Sequence, residues 1–166
     1  MRIVDSILTE LDQEAATTRK VLDRVPADKL TWKPHTKSMS LGQLALHVAQ
    51  TPGAIAGFVA GPTFAMSGPI TQAEASSKAE VMSALDASLA KAKDTLNGLD
   101  DATITSTWTL TAGDKTLMSM PRIAVVRAIM LNHWYHHRGQ LSVYLRLLDV
   151  PVPSIYGPSA DENPFG

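Results

Sequence analysis

The clustering of glycine and proline is the feature that most constrains the fold of this chain. The 10 Gly and 10 Pro residues gather in short stretches and leave long segments in which apolar residues recur at helical spacing. Because proline lacks an amide donor and glycine weakens a helix, these clusters mark the ends of elements. Four long segments remain between them, so the sequence predicts an all-α fold built as a four-helix bundle.

The predicted helices cover residues 2–24, 40–60, 72–97 and 121–148. Apolar residues three or four positions apart place one buried face on the first helix. Ser40 and Gln43 form a predicted capping box at the start of the second. The tail, 150–166, carries four prolines and is predicted to lie against the bundle or fray. A chain of 166 residues can bury a sizeable core, which predicts one domain over 1–166.

The segment 101–120, before the last helix, has a different pattern. Ile104, Trp108 and Leu110 alternate with threonines, which is typical of a half-buried strand. Ala112-Gly113-Asp114 could turn such a strand back on itself. The sequence leaves two alternatives open here, a small hairpin or an irregular segment.

Composition excludes several classes of protein. The 15 basic and 16 acidic residues give a net charge of −1, so no positive field is available to hold a phosphate backbone. No run approaches the roughly 18 apolar residues of a membrane span, and the first residues do not read as a signal peptide. Cysteine is absent, which removes disulfides and thiolate metal sites. We therefore expect a cytoplasmic protein that binds neither nucleic acid nor membrane, and in which any metal rests on histidines or carboxylates.

A pair of histidines in the predicted fourth helix points to a metal. His133 and His137 are four residues apart, so both lie on one helix face with Cβ atoms about 5–6 Å apart. Two imidazoles at that spacing can bind one ion. The rest of that face is largely apolar, and two imidazoles there lose solvation and repel each other when protonated, which favours a shared cation.

His47 in the second helix offers a third ligand. It shares a face with Leu44, Thr51, Ala54 and Phe58, and in a bundle this face would meet the fourth helix. Three neutral imidazoles form an open site for Zn, Ni or Fe, with room for water or a substrate. The alternative is that the three are ordinary core or surface histidines. A zinc protease is excluded because no glutamate follows His133 in the required motif.

Four neighbours of the pair are candidates for supporting roles. Gln140 and Tyr144 extend the histidine face and could orient a ligand or substrate, or simply form hydrogen bonds at the edge of the core. His136 lies at the margin of the face, which favours a surface position or a hydrogen bond to a ligand over ligation. Arg138 could pair with a substrate carboxylate or lie on the helix surface.

Three stretches of the chain resemble the DinB/YfiT-like superfamily of metal-binding four-helix bundles. They are LTWKP at 30–34, SMSLGQLALH at 38–47 and NHWYHHRGQ at 132–140. The resemblance implies up-down-down-up connectivity, a homodimer, and a divalent metal, Zn, Ni or Fe, on His47, His133 and His137. It also implies that the metal could work with a low-molecular-weight thiol, since characterised relatives include transferases and isomerases that use bacillithiol or mycothiol. The family name refers to induction by DNA damage and implies no DNA binding.

Three functions remain open at this point. The first is a metal-dependent enzyme that transfers the sulfur of a small thiol to a small-molecule electrophile. The second is a metal-dependent hydrolase, which needs only water at the same position. The third is a non-catalytic metal-binding stress-response protein, in which the metal or the histidines stabilise the bundle.

Overall fold

The computed structural model describes residues 1–69 and 71–165, and long helices make up most of them. The helices are α1 (Ile3–Asp23), α2 (Leu41–Ala60), α3 (Lys78–Asn97), the short α4 (Asp101–Thr105) and α5 (Arg122–Val125), and α6 (His133–Leu147). A π-helical segment, Val126–Asn132, joins α5 to α6. None of the described helices is both long enough and apolar enough to cross a membrane.

The start of α2 follows the prediction from sequence. The Ser40 hydroxyl accepts a hydrogen bond from the Gln43 amide at 3.0 Å, and the Ser40 amide donates to Gln43 Oε1 at 3.0 Å. This reciprocal pair satisfies two amides that a helix start leaves without partners. The predicted capping box is confirmed, and it sets the helical phase of His47 two turns later.

The third helix begins later than predicted, at Lys78 rather than at residue 72. Ser77 caps it by accepting a hydrogen bond from the Glu80 amide at 3.1 Å. The residues before it lie across the start of α2, where the Gln43 side chain donates to the Gln72 carbonyl at 3.2 Å. This segment brings the Gln72 side chain next to α2.

A small sheet shows that the fold is not purely all-α. Within the described residues it has three strands, β1 (Thr63–Ala65), β2 (Thr107–Ala112) and β3 (Lys115–Pro121), in that spatial order. Of the two alternatives that the sequence leaves open for 101–120, the structure contains the hairpin, because β2 and β3 pair antiparallel. β1 lies in the segment 61–69, whose two Gly-Pro pairs predict a loop by composition, and it pairs parallel to β2. The fold is therefore mostly helical, with a small three-stranded sheet.

Two further boundaries differ from the prediction. Ile104 lies in α4 rather than in a strand, because Asp100 accepts a hydrogen bond from the Thr103 amide at 2.7 Å and starts a helical turn. The last helix is predicted as one regular segment from residue 121, but Pro121 ends β3 and the helix widens into the π-helical segment before α6. Single π-helical turns occur often near functional sites. Here the segment ends immediately before His133.

The tail packs on the helices, with no helix or strand of its own among the described residues. Asp161 accepts a hydrogen bond from the Val152 amide at 2.8 Å, and Glu162 accepts one from the Ser154 amide at 3.0 Å. Arg24 at the end of α1 forms an ion pair with Glu162. Of the two alternatives predicted for the tail, packing and fraying, these contacts show the first, and Gly166 lies outside the described residues.

Candidate metal centre

Three histidines from two helices converge at the seam between α2 and α6. The Nε2 atoms of His47 and His133 are 3.3 Å apart. The His137 ring centroid is 4.4 Å from each of the other two. The three residues each offer a nitrogen within 4.8 Å of the others, and all three rings are half-buried. The structure therefore brings together the histidines that the sequence singles out.

The second nitrogen of two of the three rings faces an oxygen acceptor. His47 Nδ1 lies 3.0 Å from Gln72 Oε1, and His137 Nδ1 lies 2.7 Å from Gln140 Oε1. Amide oxygens only accept, so Nδ1 of each of these two rings carries the hydrogen and Nε2 keeps its lone pair.

This hydrogen bonding leaves the Nε2 lone pair of His47 facing Nε2 of His133 at 3.3 Å. A buried lone pair in that position favours a cation or a proton between the two nitrogens. Imidazole nitrogens about 2.0–2.1 Å from a zinc ion, in tetrahedral geometry, are separated by about 3.3–3.4 Å. The separation and the fixed tautomers thus fit a shared divalent cation. Partners on the outer nitrogen are also what orients metal-binding histidines in general.

A proline inside α2 aligns the two helices. Pro52 has no amide hydrogen, so the Val48 carbonyl one turn earlier loses its partner within the helix. Trp134 Nε1 donates to that carbonyl at 2.8 Å, and the indole is fully buried. Val48 follows His47 in the chain and Trp134 follows His133, so this hydrogen bond fixes one ligand helix against the other beside the site.

Trp134→Phe is expected to lower the free energy of unfolding by about 1–3 kcal/mol, because it leaves the Val48 carbonyl buried without a donor. The affinity for Zn²⁺, measured by competition with a chromophoric chelator, is expected to fall with it. Trp32→Phe is the matched control, since Trp32 packs edge-on against Tyr144 at 5.6 Å instead. Unchanged zinc affinity in Trp134→Phe would show that this hydrogen bond does not position the histidines.

The site disfavours positive charge when no cation is bound. Burial lowers the pKa of His137 to about 4, and the His47, His133 and His136 rings lower it further against the opposing hydrogen bond to Gln140. Burial also lowers the pKa of His133, and His47 and His136 add to the effect. Neutral imidazoles are the form that binds a metal, so the site is prepared for one at neutral pH.

The metal-free protein is expected to lose stability as the pH falls from about 6.5 towards about 4. In this window an unfolded chain protonates His137 while the folded chain, with its lowered pKa, does not, so protons favour unfolding. Denaturant titrations in the presence of a chelator, between pH 7.5 and 4.5, measure the effect. His137→Gln should show a flatter dependence, whereas equal slopes in both proteins would contradict the assignment.

A cavity of about 270 Å³ opens beside the histidines. His47, His133, Gln72, Thr51 and Phe58 line it, and none of its described lining residues is charged. Gln72 Oε1 binds His47, while its amide nitrogen lies 3.4 Å from Gln50 Oε1. A small molecule in this cavity would reach the histidines past amide and hydroxyl groups.

The other predicted residues are distributed on both sides of α6. Gln140 is brought to the site as the partner of His137, and the exposed His136 ring lies edge-on to that of His137, with their centroids 5.0 Å apart. Tyr144 is not brought there, because its hydroxyl donates to the Met39 carbonyl at 3.2 Å. Arg138 is also away from the histidines, with its guanidinium 2.6 Å from the Glu14 carboxylate and 1% of its side chain exposed.

Sequence reasoning missed Gln72 and Pro52. Gln72 lies in the irregular segment before α3, where no periodicity places a side chain against α2. Pro52 carries a usable signal, since a proline inside a helix releases the carbonyl four residues earlier. Pro52 therefore predicts that the Val48 carbonyl needs another donor, but it does not predict that Trp134 is that donor.

Comparison with known proteins agrees with this architecture. A DinB-like protein from Bacillus cereus ATCC 10987 superposes with a TM-score of 0.70 at 20% identity, over 92% of this chain and 97% of that one. A DinB-like protein from Bacillus subtilis gives a TM-score of 0.68 at 17% identity, over 90% and 97% of the two chains. Among curated proteins, none matches the sequence. The sequence profile of the DinB family matches residues 2–163, and the chain therefore belongs to the DinB family.

Proposed function

We propose that the protein binds a divalent metal through His47, His133 and His137 and is a metal-dependent enzyme that transfers a small thiol to an electrophile. The observation that carries the proposal is the convergence of the three rings, with Nε2 of His47 and of His133 3.3 Å apart and with Nδ1 of His47 and of His137 held by glutamine oxygens. A bound Zn, Ni or Fe ion would lower the pKa of a thiol or water that coordinates it, so that a nucleophile forms at neutral pH.

The chain's own residues would bind and orient the reactants. Gln72 and Gln140 hold the ring orientation of two ligands, and Thr51 presents a hydroxyl to the same cavity. Phe58 covers another part of the cavity wall and excludes water. The described walls hold no carboxylate that could act as a base. This supports a reaction whose nucleophile loses its proton through coordination rather than to a neighbouring Asp or Glu.

The test is thiol consumption by protein loaded separately with Zn²⁺, Ni²⁺ or Fe²⁺, in the presence of a panel of electrophiles. We expect product formation that saturates with thiol and is lost in His47→Ala. His35→Ala is the matched control, because His35 is exposed and its ring accepts a hydrogen bond from the Lys37 amide instead. A loaded protein that binds no thiol and transfers none to any electrophile would exclude the transferase.

The same assay separates the alternatives. A product rate independent of added thiol would identify the hydrolase. Loss of metal with a lower melting temperature, and no reaction in any combination, would identify a non-catalytic metal-binding protein. The native metal, the homodimer, the cytoplasmic location and the up-down-down-up order of the long helices stay predictions from the sequence.

A further inference from the structure

A second cavity, of about 170 Å³, also has His133 in its wall. Apart from this histidine, every described residue that lines it is hydrophobic. Its walls come from the sheet as well as the helices, with Phe64 on β1, Trp108 and Leu110 on β2, and Ile129 in the π-helical segment. The strands that a pure helix bundle lacks therefore form one side of an apolar compartment beside the candidate metal centre.

The polar atom of this compartment's largest side chain is committed elsewhere. Trp108 Nε1 donates to the Phe58 carbonyl at 2.8 Å, so the indole presents only apolar surface to the cavity. The Phe58 and Phe64 rings stack with centroids 3.9 Å apart. Phe58 lines both cavities, as does His133. The two cavities are thus neighbours with different chemistry that meet at one of the candidate metal ligands.

The volume limits what the apolar cavity can hold. An engineered protein cavity of about 150 Å³ lined by Leu, Ile and Phe binds benzene, so about 170 Å³ accommodates one six-membered ring or an alkyl group of similar size. Water gains little in this cavity, because His133 alone among the described lining residues offers a polar side chain.

We propose that the apolar cavity binds a single aromatic or alicyclic ring of the substrate, carried within one or two bonds of the atom that reaches the histidines. The ring would lie between Trp108, Leu110 and Ile129, and the polar remainder would extend past His133 towards Gln72. This assignment of a substrate class rests on the proposed function for the identity of the reacting atom. The ring site itself depends only on the cavity.

The ring site is tested first without metal. Metal-free protein is titrated with toluene, and the methyl resonances of Leu110 and Ile129 are followed by NMR. We expect saturable shifts of these methyls and a higher melting temperature. Leu110→Phe places a ring in the cavity and should abolish both effects. Leu117→Phe is the matched control on β3, where Leu117 is 52% exposed. Ile129→Phe is a second filling variant should Leu110→Phe not fold.

A second measurement connects the ring site to the metal. Protein loaded with Co²⁺ is titrated with phenylmethanethiol and with ethanethiol, and the visible absorption of the cobalt is recorded. Burial of the ring should favour phenylmethanethiol by about tenfold or more, and Leu110→Phe should remove the preference. No saturable toluene binding, or binding that the filling variants leave unchanged, would overturn the ring site. Toluene binding in a protein that takes up no metal would keep the ring site and overturn the proposed function.

Discussion

Replacing His133 by alanine is expected to leave the purified protein without bound metal, whereas His136→Ala retains about one equivalent. His133 supplies an inward nitrogen 3.3 Å from that of His47, while His136 is exposed and lies beside the site with its ring edge-on to that of His137. Loss of an outer partner of a ligand typically lowers metal affinity by about 10- to 100-fold, and loss of the ligand itself should exceed that.

Elemental analysis of protein purified without a metal-binding tag measures this difference. A double variant, His47→Ala with His133→Ala, gives the metal-free reference. Added Zn²⁺ should raise the melting temperature of the wild type and of His136→Ala but not of the His133 variant, because only a folded site binds the ion. A wild type that refuses added Zn²⁺ and Ni²⁺ would make the three histidines ordinary core residues and remove the basis of the proposed enzyme.

Arg138→Met is expected to lower the free energy of unfolding by about 3–5 kcal/mol, because it leaves the largely buried Glu14 carboxylate without the guanidinium that pairs with it. The guanidinium donates to Thr18 Oγ1 at 3.0 Å and lies 5.2 Å and 5.1 Å from the ring centroids of Tyr135 and Tyr156. For a chain of this length the melting temperature should fall by roughly 6–20 °C. Metal content of the folded protein should stay at the wild-type value, because this cluster lies away from the histidines.

Arg146→Met is the control for Arg138→Met. Arg146 forms an ion pair with Asp161 on the surface, with 48% of its side chain exposed, and exposed pairs contribute at most about 1 kcal/mol. Both variants are compared by denaturant titration. If the Arg138→Met variant kept its stability but its reaction rate no longer saturated with an acidic substrate, Arg138 would bind the substrate carboxylate, as one of the two alternatives from the sequence has it.

Local chemistry and periodicity predict the parts of this fold that depend on one helix at a time. The capping box at Ser40 and the i, i+4 pair of His133 and His137 require only the geometry of a single helix. The inward position of His47 follows from its place on the buried face of α2. These features can be predicted because residues close together in the sequence determine them, without contacts from a distant segment.

The parts of the fold that depend on contacts between distant segments cannot be predicted in this way. β1 is three residues long and exists because it pairs with β2, more than 40 positions later. Gln72 acts on His47 only because a loop crosses α2. Arg138 is one residue from His137, and a single helical step of about 100° turns it towards α1, where Glu14 decides its role. The local sequence pattern predicts neither the pairing of β1 with β2 nor the ion pair of Arg138 with Glu14.

The proline in α2 also determines how the site comes into existence. With Pro52 in place, α2 cannot complete its own hydrogen bonding at Val48, and the missing donor arrives only when Trp134 docks. An isolated α2 segment would leave that carbonyl to water, so the helix and its tertiary contact become one cooperative unit. Docking of Trp134 therefore completes the hydrogen bonding of α2 in the same contact that brings His133 to His47, 86 positions away in the chain. Partly folded chains in which α2 and α6 have not docked would hold no preformed pair of His47 and His133.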